Sequence, residues 1–170
     1  MIEVYNFSIQ TLYYWLVAFS LWEAVFVVIF PKINKGKSIF EYYRKLPSWI
    51  PISGDFLYST LIFIAAQGIF GYINPINYKL PIFAFIFVAL QWIFDLTYSS
   101  IILRLPSTTS QYINFFQRYI KEVGFGAAIG DSIYLLIWLF VTWLLLKYVP
   151  INIATFILIF MLFIWLVIGY

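Results

Sequence analysis

Polar residues interrupt this chain only at long intervals. Between them run stretches in which nearly every position is apolar, at about 10–31, 54–74, 80–104, 125–148 and 151–169. Each has spanning length, because the hydrocarbon core of a bilayer takes roughly 20 helical residues. Pro31, Pro75, Pro106 and Pro150 punctuate the ends, as suits a residue that cannot continue a helix. The connections at 75–79 and 149–151 are short, so helices 2 and 3, and helices 4 and 5, are expected as antiparallel hairpins. Two segments between spans carry a different, amphipathic pattern. "SIFE" at 38–41 reads as a capping box, with Ile39, Phe40 and Tyr43 set toward lipid while Arg44 and Lys45 snorkel. In "SQYINFFQRYIKEVG", Tyr112, Phe115, Phe116, Tyr119 and Val123 recur at helical spacing, opposite Gln111, Asn114, Gln117, Arg118 and Lys121. The expected fold is an all-α membrane protein, one integral domain over 1–170, with five transmembrane helices and two interfacial amphipathic helices.

The pattern repeats. "GDFLY" at 54–58 matches "GDSIY" at 130–134, and Phe40, Tyr43 and Lys45 match Phe116, Tyr119 and Lys121, all at an offset of 76. "PIN" at 75–77 returns at 150–152, and Pro31 returns as Pro106, one residue closer. The matches fall at element boundaries, as a repeat unit requires. Repeat 1 covers about 10–78 and repeat 2 about 80–154, with helix 5 at 151–169. Helices 1–2 and 3–4 then run in the same direction, and such a parallel duplication implies a pseudo-twofold axis along the membrane normal.

Composition agrees with the pattern. The chain is 64% hydrophobic and 10% charged, where a soluble domain carries about a quarter charged residues. It has no cysteine and no histidine. That excludes disulfides, thiol catalysis, the usual zinc sites and histidine acid–base chemistry. No cofactor, metal site or catalytic residue is expected. The net charge of +3 is dispersed, so nucleic acid is not a partner. The bilayer is, and a second copy, another membrane protein, a cation or a small apolar ligand are further candidates. The first apolar run lacks the basic flank and cleavage site of a signal peptide.

Charge fixes the expected orientation. Lys32, Lys35, Lys37, Arg44, Lys45, Arg104, Arg118 and Lys121 lie on one side, and only Lys79 and Lys147 on the other. The positive-inside rule then puts the amino terminus on the exofacial or lumenal side. The carboxyl terminus and both long basic connections face the cytosol.

Four carboxylates remain inside the spans: Glu23, Asp55, Asp95 and Asp131. At ~1.5 Å per residue all four fall in the cytosolic half of the bilayer. Tyr58 and Ser59 share a helix face with Asp55. Gln91, Tyr98 and Ser99 share one with Asp95, and Tyr134 shares one with Asp131. Phenol hydroxyls can donate to a buried carboxylate. The expected polar cluster is Glu23, Asp55, Tyr58, Gln91, Asp95, Tyr98, Asp131 and Tyr134. Gly126 and Gly130 in "GAAIG" form a small-xxx-small surface for close helix packing. Such a cluster is either a structural knot or a cation, proton or ligand site open to the cytosol. A ligand pocket lined by Trp15, Trp22, Trp92 or Trp138 is the third expectation.

From Gln91 and Asp95 through Pro106, "FFQRY", "KEVG" and "GDS", the chain resembles an uncharacterised integral membrane protein family of giant DNA viruses of algae and protists. The resemblance covers roughly residues 40–170. It implies a non-enzymatic viral protein with a structural or assembly role in a virion-associated or host internal membrane. More faintly, "YYRKLPSWIP" at 42–51 resembles the tryptophan-rich sensory (translocator) family, which implies porphyrin or sterol binding. Phe94-Asp95 and Ala128-Ile129-Gly130-Asp131 also resemble the paired aspartate motifs of intramembrane aspartyl proteases, an alternative that implies hydrolysis.

Overall fold

A computed structural model of the chain describes residues 3–33 and 49–168, with side chains placed for 3–23 and 53–167. The "SIFE" box and its expected interfacial helix lie outside these residues. Those described form six helices: α1 (Ile9–Ile33), α2 (Trp49–Ile73), α3 (Lys79–Arg104), α4 (Gln111–Val123), α5 (Phe125–Tyr148) and α6 (Ile151–Ile168). Among them, α3, α5 and the Ser53–Ile73 part of α2 are long and apolar enough to cross a membrane, and α6 adds a shorter apolar helix.

The ends follow local chemistry. Ser8 caps α1 by accepting from the Thr11 amide at 3.0 Å, and Ser110 caps α4 by accepting from Ile113 at 3.1 Å. α1 continues to Ile33, so Pro31 lies in its last turn instead of ending it. α2 starts at Trp49, ahead of the expected boundary. Pro51 fits its first turn, where an amide hydrogen is unpaired anyway. Gly124 joins α4 to α5 with φ +56, a backbone setting that favours glycine.

The core is aromatic. Trp15 of α1 is fully buried and sandwiched between Phe63 of α2 (centroids 4.1 Å, planes 4° apart) and Trp138 of α5 (3.9 Å, 12°). Phe87 of α3 meets it edge-on. Both indoles are satisfied: Trp15 Nε1 donates to Thr60 Oγ1 at 3.1 Å, and Trp138 Nε1 donates to the Trp15 carbonyl at 2.9 Å. α1, α2, α3 and α5 therefore surround one dry stack. It continues through Phe83 and Phe70 to Tyr5. There the amino-terminal segment folds over the bundle end, and Gln67 Nε2 donates to the carbonyls of Val4 (2.9 Å) and Asn6 (3.2 Å).

α2 packs along α3, as the short 75–79 connection predicts. α6 differs: its main neighbour is α1, not α5. Tyr14 Oη donates to the Val149 carbonyl at 2.6 Å, and Tyr13 Oη lies 2.7 Å from Thr155 Oγ1. These bonds draw the turn and the start of α6 across to α1. The outer faces expose Leu61, Phe85, Ile93, Phe156 and Phe163.

Candidate functional site

At the end of the bundle away from Tyr5, the helices part around a cavity of about 500 Å³. α2 contributes Gly54, Asp55 and Tyr58, and α3 contributes Asp95, Leu96, Tyr98, Ser99 and Leu103. α5 contributes Phe125, Ala127, Ala128 and Asp131, and α4 closes one side with Tyr112, Phe116, Tyr119 and Ile120.

Asp95 is held on both oxygens. Tyr58 Oη donates to Oδ1, and Gln91 Nε2 donates to Oδ2. Gln91 is fully buried, and a network fixes its amide. Nε2 also donates to the Ala128 carbonyl at 3.3 Å. Ser132 Oγ lies 2.6 Å from Gln91 Oε1 and 2.8 Å from the Ala128 carbonyl, which share its proton. Trp92 Nε1 donates to Ser132 Oγ at 2.9 Å. These bonds tie α3 to α2 and α5 behind the cavity wall.

Asp131 is different. Its side chain is exposed to the cavity, and no described residue donates a hydrogen bond to it. It interacts unfavourably with Asp95 and Asp55, which line the same cavity. The α4 phenols register this field. Burial raises the Tyr119 phenol above its usual range, and Asp131, Asp55, Asp95 and Glu122 add to the effect. Burial also raises Tyr112, partly offset by Tyr98, with Asp55 adding to it. Tyr98 Oη is itself shielded from solvent. Tyr112 lies beside it.

Glu23 lies elsewhere. It is fully buried between α1 and α5, where Tyr134 Oη donates to Oε2 at 2.5 Å. Oε1 has no hydrogen-bond partner among the described residues. Of the expected cluster, Asp55, Tyr58, Asp95, Tyr98 and Asp131 share the cavity and Gln91 backs it, while Glu23 and Tyr134 form a separate pair. Gly126 and Gly130, expected at a close helix contact, are both exposed, and a Cβ at Gly130 would meet nothing within 4 Å. The buried small residue of that stretch is Ala128. Trp15 and Trp138 belong to the aromatic stack and do not line this cavity.

The aromatic wall from α4 is the part that sequence reasoning missed. Tyr112, Phe116 and Tyr119 stand out by their helical spacing, which predicts an interfacial helix and no cavity. Periodicity reports an apolar face, not what covers it. Ser132 carried no signal beyond its place after Asp131.

Comparison of the chain with protein-family models, curated proteins and solved structures finds no match.

Proposed function

We propose that this chain is a five-span integral membrane protein whose working part is the acidic cavity, a one-sided site for a small ligand that enters from the cytosolic face. The observation that carries this reading is the contrast between Asp131 and two other carboxyls of the bundle, Asp95 and Glu23. Asp95 is held by Tyr58 and Gln91, and Glu23 by Tyr134. Asp131 meets the cavity with its carboxylate open. An unpaired aspartate in a span costs ~2.5–3.5 kcal/mol on insertion scales, so it marks function by default. Beyond the cavity the Trp15 stack fills the bundle, which supports a binding site over a conduit. Both oxygens of Asp95 are already engaged, which favours binding over hydrolysis by an aspartyl pair sharing a proton.

The topology is part of the same proposal, with an exofacial amino terminus and cytosolic basic connections. Two reciprocal bonds support the duplication. Tyr58, three residues after Asp55, donates to Asp95 on α3. Tyr134, three after Asp131, donates to Glu23 on α1. Each Gly-Asp helix thus holds the acid of the other repeat's first helix. The main pairings of α1 with α5 and of α3 with α2 also exchange under a pseudo-twofold. The resemblance to the giant-virus family supports a virion-associated or host internal membrane.

A second reading is a structural polar knot that assembles the helices of a viral membrane protein, favoured by the two tyrosine-held carboxyls. A single cysteine distinguishes the two, because the chain has none of its own. Ser99→Cys places a thiol in the cavity, and Thr142→Cys places one in the buried core. In oriented proteoliposomes a membrane-impermeant thiol reagent is expected to label Ser99→Cys from the cytosolic side only, and Thr142→Cys from neither. An unreactive Ser99→Cys leaves the knot and removes the ligand site.

A further inference from the structure

The cavity's lining narrows its occupant to one chemical class. We infer that it binds an amphipathic organic cation, an ammonium group carried on an aryl or alkyl body, with the charge at Asp131 and the body against the α4 wall. This rests on the cavity being the ligand site proposed above.

Charge comes first. Asp131 interacts unfavourably with Asp95 and with Asp55, which line the same cavity, and a cation beside Asp131 relieves both contacts. An anion or a zwitterion with a phosphate beside its ammonium would bring negative charge into the same field.

Coordination chemistry then separates organic from inorganic cations. Hard cations require several oxygens converging on one point, six to eight for calcium. Among the described residues no group of acidic side chains is arranged to hold a metal ion. Asp95 is moreover already committed to Tyr58 and Gln91. A volume of about 500 Å³ also far exceeds one ion and falls within the ~300–1,000 Å³ usual for small organic ligands.

The walls supply the rest. Leu103, Phe116 and Ile120 offer apolar surface, and the Tyr112 and Tyr119 rings offer π faces. Ammonium groups bind to such faces, more strongly where water is excluded. The Tyr98 hydroxyl, beside Tyr112 in the cavity lining, is a further polar contact for a ligand. α4 holds this wall in place. It is joined to α5 through the single residue Gly124 and secured to the end of α3 by Gln117 Nε2, which donates to the carbonyls of Ile102 (2.9 Å) and Leu105 (2.6 Å).

The experiment uses the full chain in nanodiscs and a defined probe, naphthylmethyl-trimethylammonium. Binding is read by calorimetry and by protection of Ser99→Cys from thiol labelling. The expected result is saturable binding with matching protection. Asp131→Asn should weaken it about tenfold or more, equivalent to about 1.4 kcal/mol. Phe116→Ala, at the interfacial helix, should weaken it while the thermal midpoint stays near the parent's. Neutral naphthylmethanol and anionic naphthalenesulfonate should not compete. A short-chain phosphocholine, which stands for a lipid headgroup, should compete poorly. If Asp131→Asn does not fold, the neutral and anionic analogues carry the charge test on the unmodified chain. A labelled but unprotected Ser99→Cys overturns the cation assignment and leaves the ligand site standing. So does equal binding of the neutral analogue, or displacement of the probe by magnesium at low millimolar concentration. An unlabelled Ser99→Cys is the separate failure that removes the site itself.

Discussion

Tyr58→Phe and Tyr134→Phe each delete one phenol hydroxyl that donates to a carboxyl on another helix, yet their costs should differ. Without the Tyr58 hydroxyl, Asp95 keeps Gln91 and is half-buried beside the cavity. The loss should approach the average interhelical hydrogen bond in a membrane protein, ~0.6 kcal/mol. Without the Tyr134 hydroxyl, Glu23 keeps nothing. It is fully buried, and its other oxygen already has no partner among the described residues. Stranding such a group costs ~1–3 kcal/mol. For a chain of this size ~1 kcal/mol shifts the midpoint by roughly 2–4 °C. Thermal unfolding in detergent, followed by tryptophan fluorescence, should therefore place Tyr134→Phe several degrees below Tyr58→Phe. Adding Glu23→Leu to Tyr134→Phe should restore much of the loss, because replacing both partners by apolar groups is nearly neutral. Equal midpoints for the two single variants, or no recovery in the double variant, would refute the account of Glu23 as a one-bond carboxyl.

Other outcomes follow from the same geometry. Trp15→Ala removes the centre of the aromatic stack and should cost ~3–5 kcal/mol, read as the largest midpoint loss of any single core variant. Tyr112 and Tyr119 are raised chiefly by burial, against ~10 for an unfolded tyrosine. The folded state thus holds these protons more tightly, so their contribution is complete below about pH 10. It is lost as pH rises through the folded values, and Tyr112→Phe/Tyr119→Phe should flatten the alkaline fall in midpoint. Cysteines at Ser38 and Gln111 should both be labelled from the cytosolic side of intact membranes; labelling of either from outside would overturn the five-span topology.

Much of the helical frame was legible because lipid-like solvent leaves a simple code. The α5 limits, Phe125–Tyr148, and the α3 end at Arg104 fall where apolar runs meet glycine, charge or proline. The α2 start did not, because Pro51 is compatible with a first turn and breaks only an interior. The acids were legible as a set, since a carboxylate inside an apolar run is costly wherever it points. Their division was not. Nothing local to Glu23 tells that Tyr134, 111 residues away, will bind it, or that Asp131 will be left open. The α4 wall was hidden for a related reason: Phe116 presents the same apolar ring to a bilayer as to a cavity. The indole stack had no local signature either, because Trp15 and Trp138 meet only through the packing of α1 on α5.

The central claim is that a bundle with a dry aromatic core opens at one end into a wet acidic cavity. Hydroxyl-radical footprinting of the unmodified chain in nanodiscs, read residue by residue by mass spectrometry, tests it directly. Tyr98, Phe116 and Tyr119 should be oxidised, while Trp15, Trp138 and Phe63 stay protected although indoles are intrinsically more reactive than phenyl rings. Protection of the α4 and α3 aromatics to the same degree as Trp15 would contradict the claim.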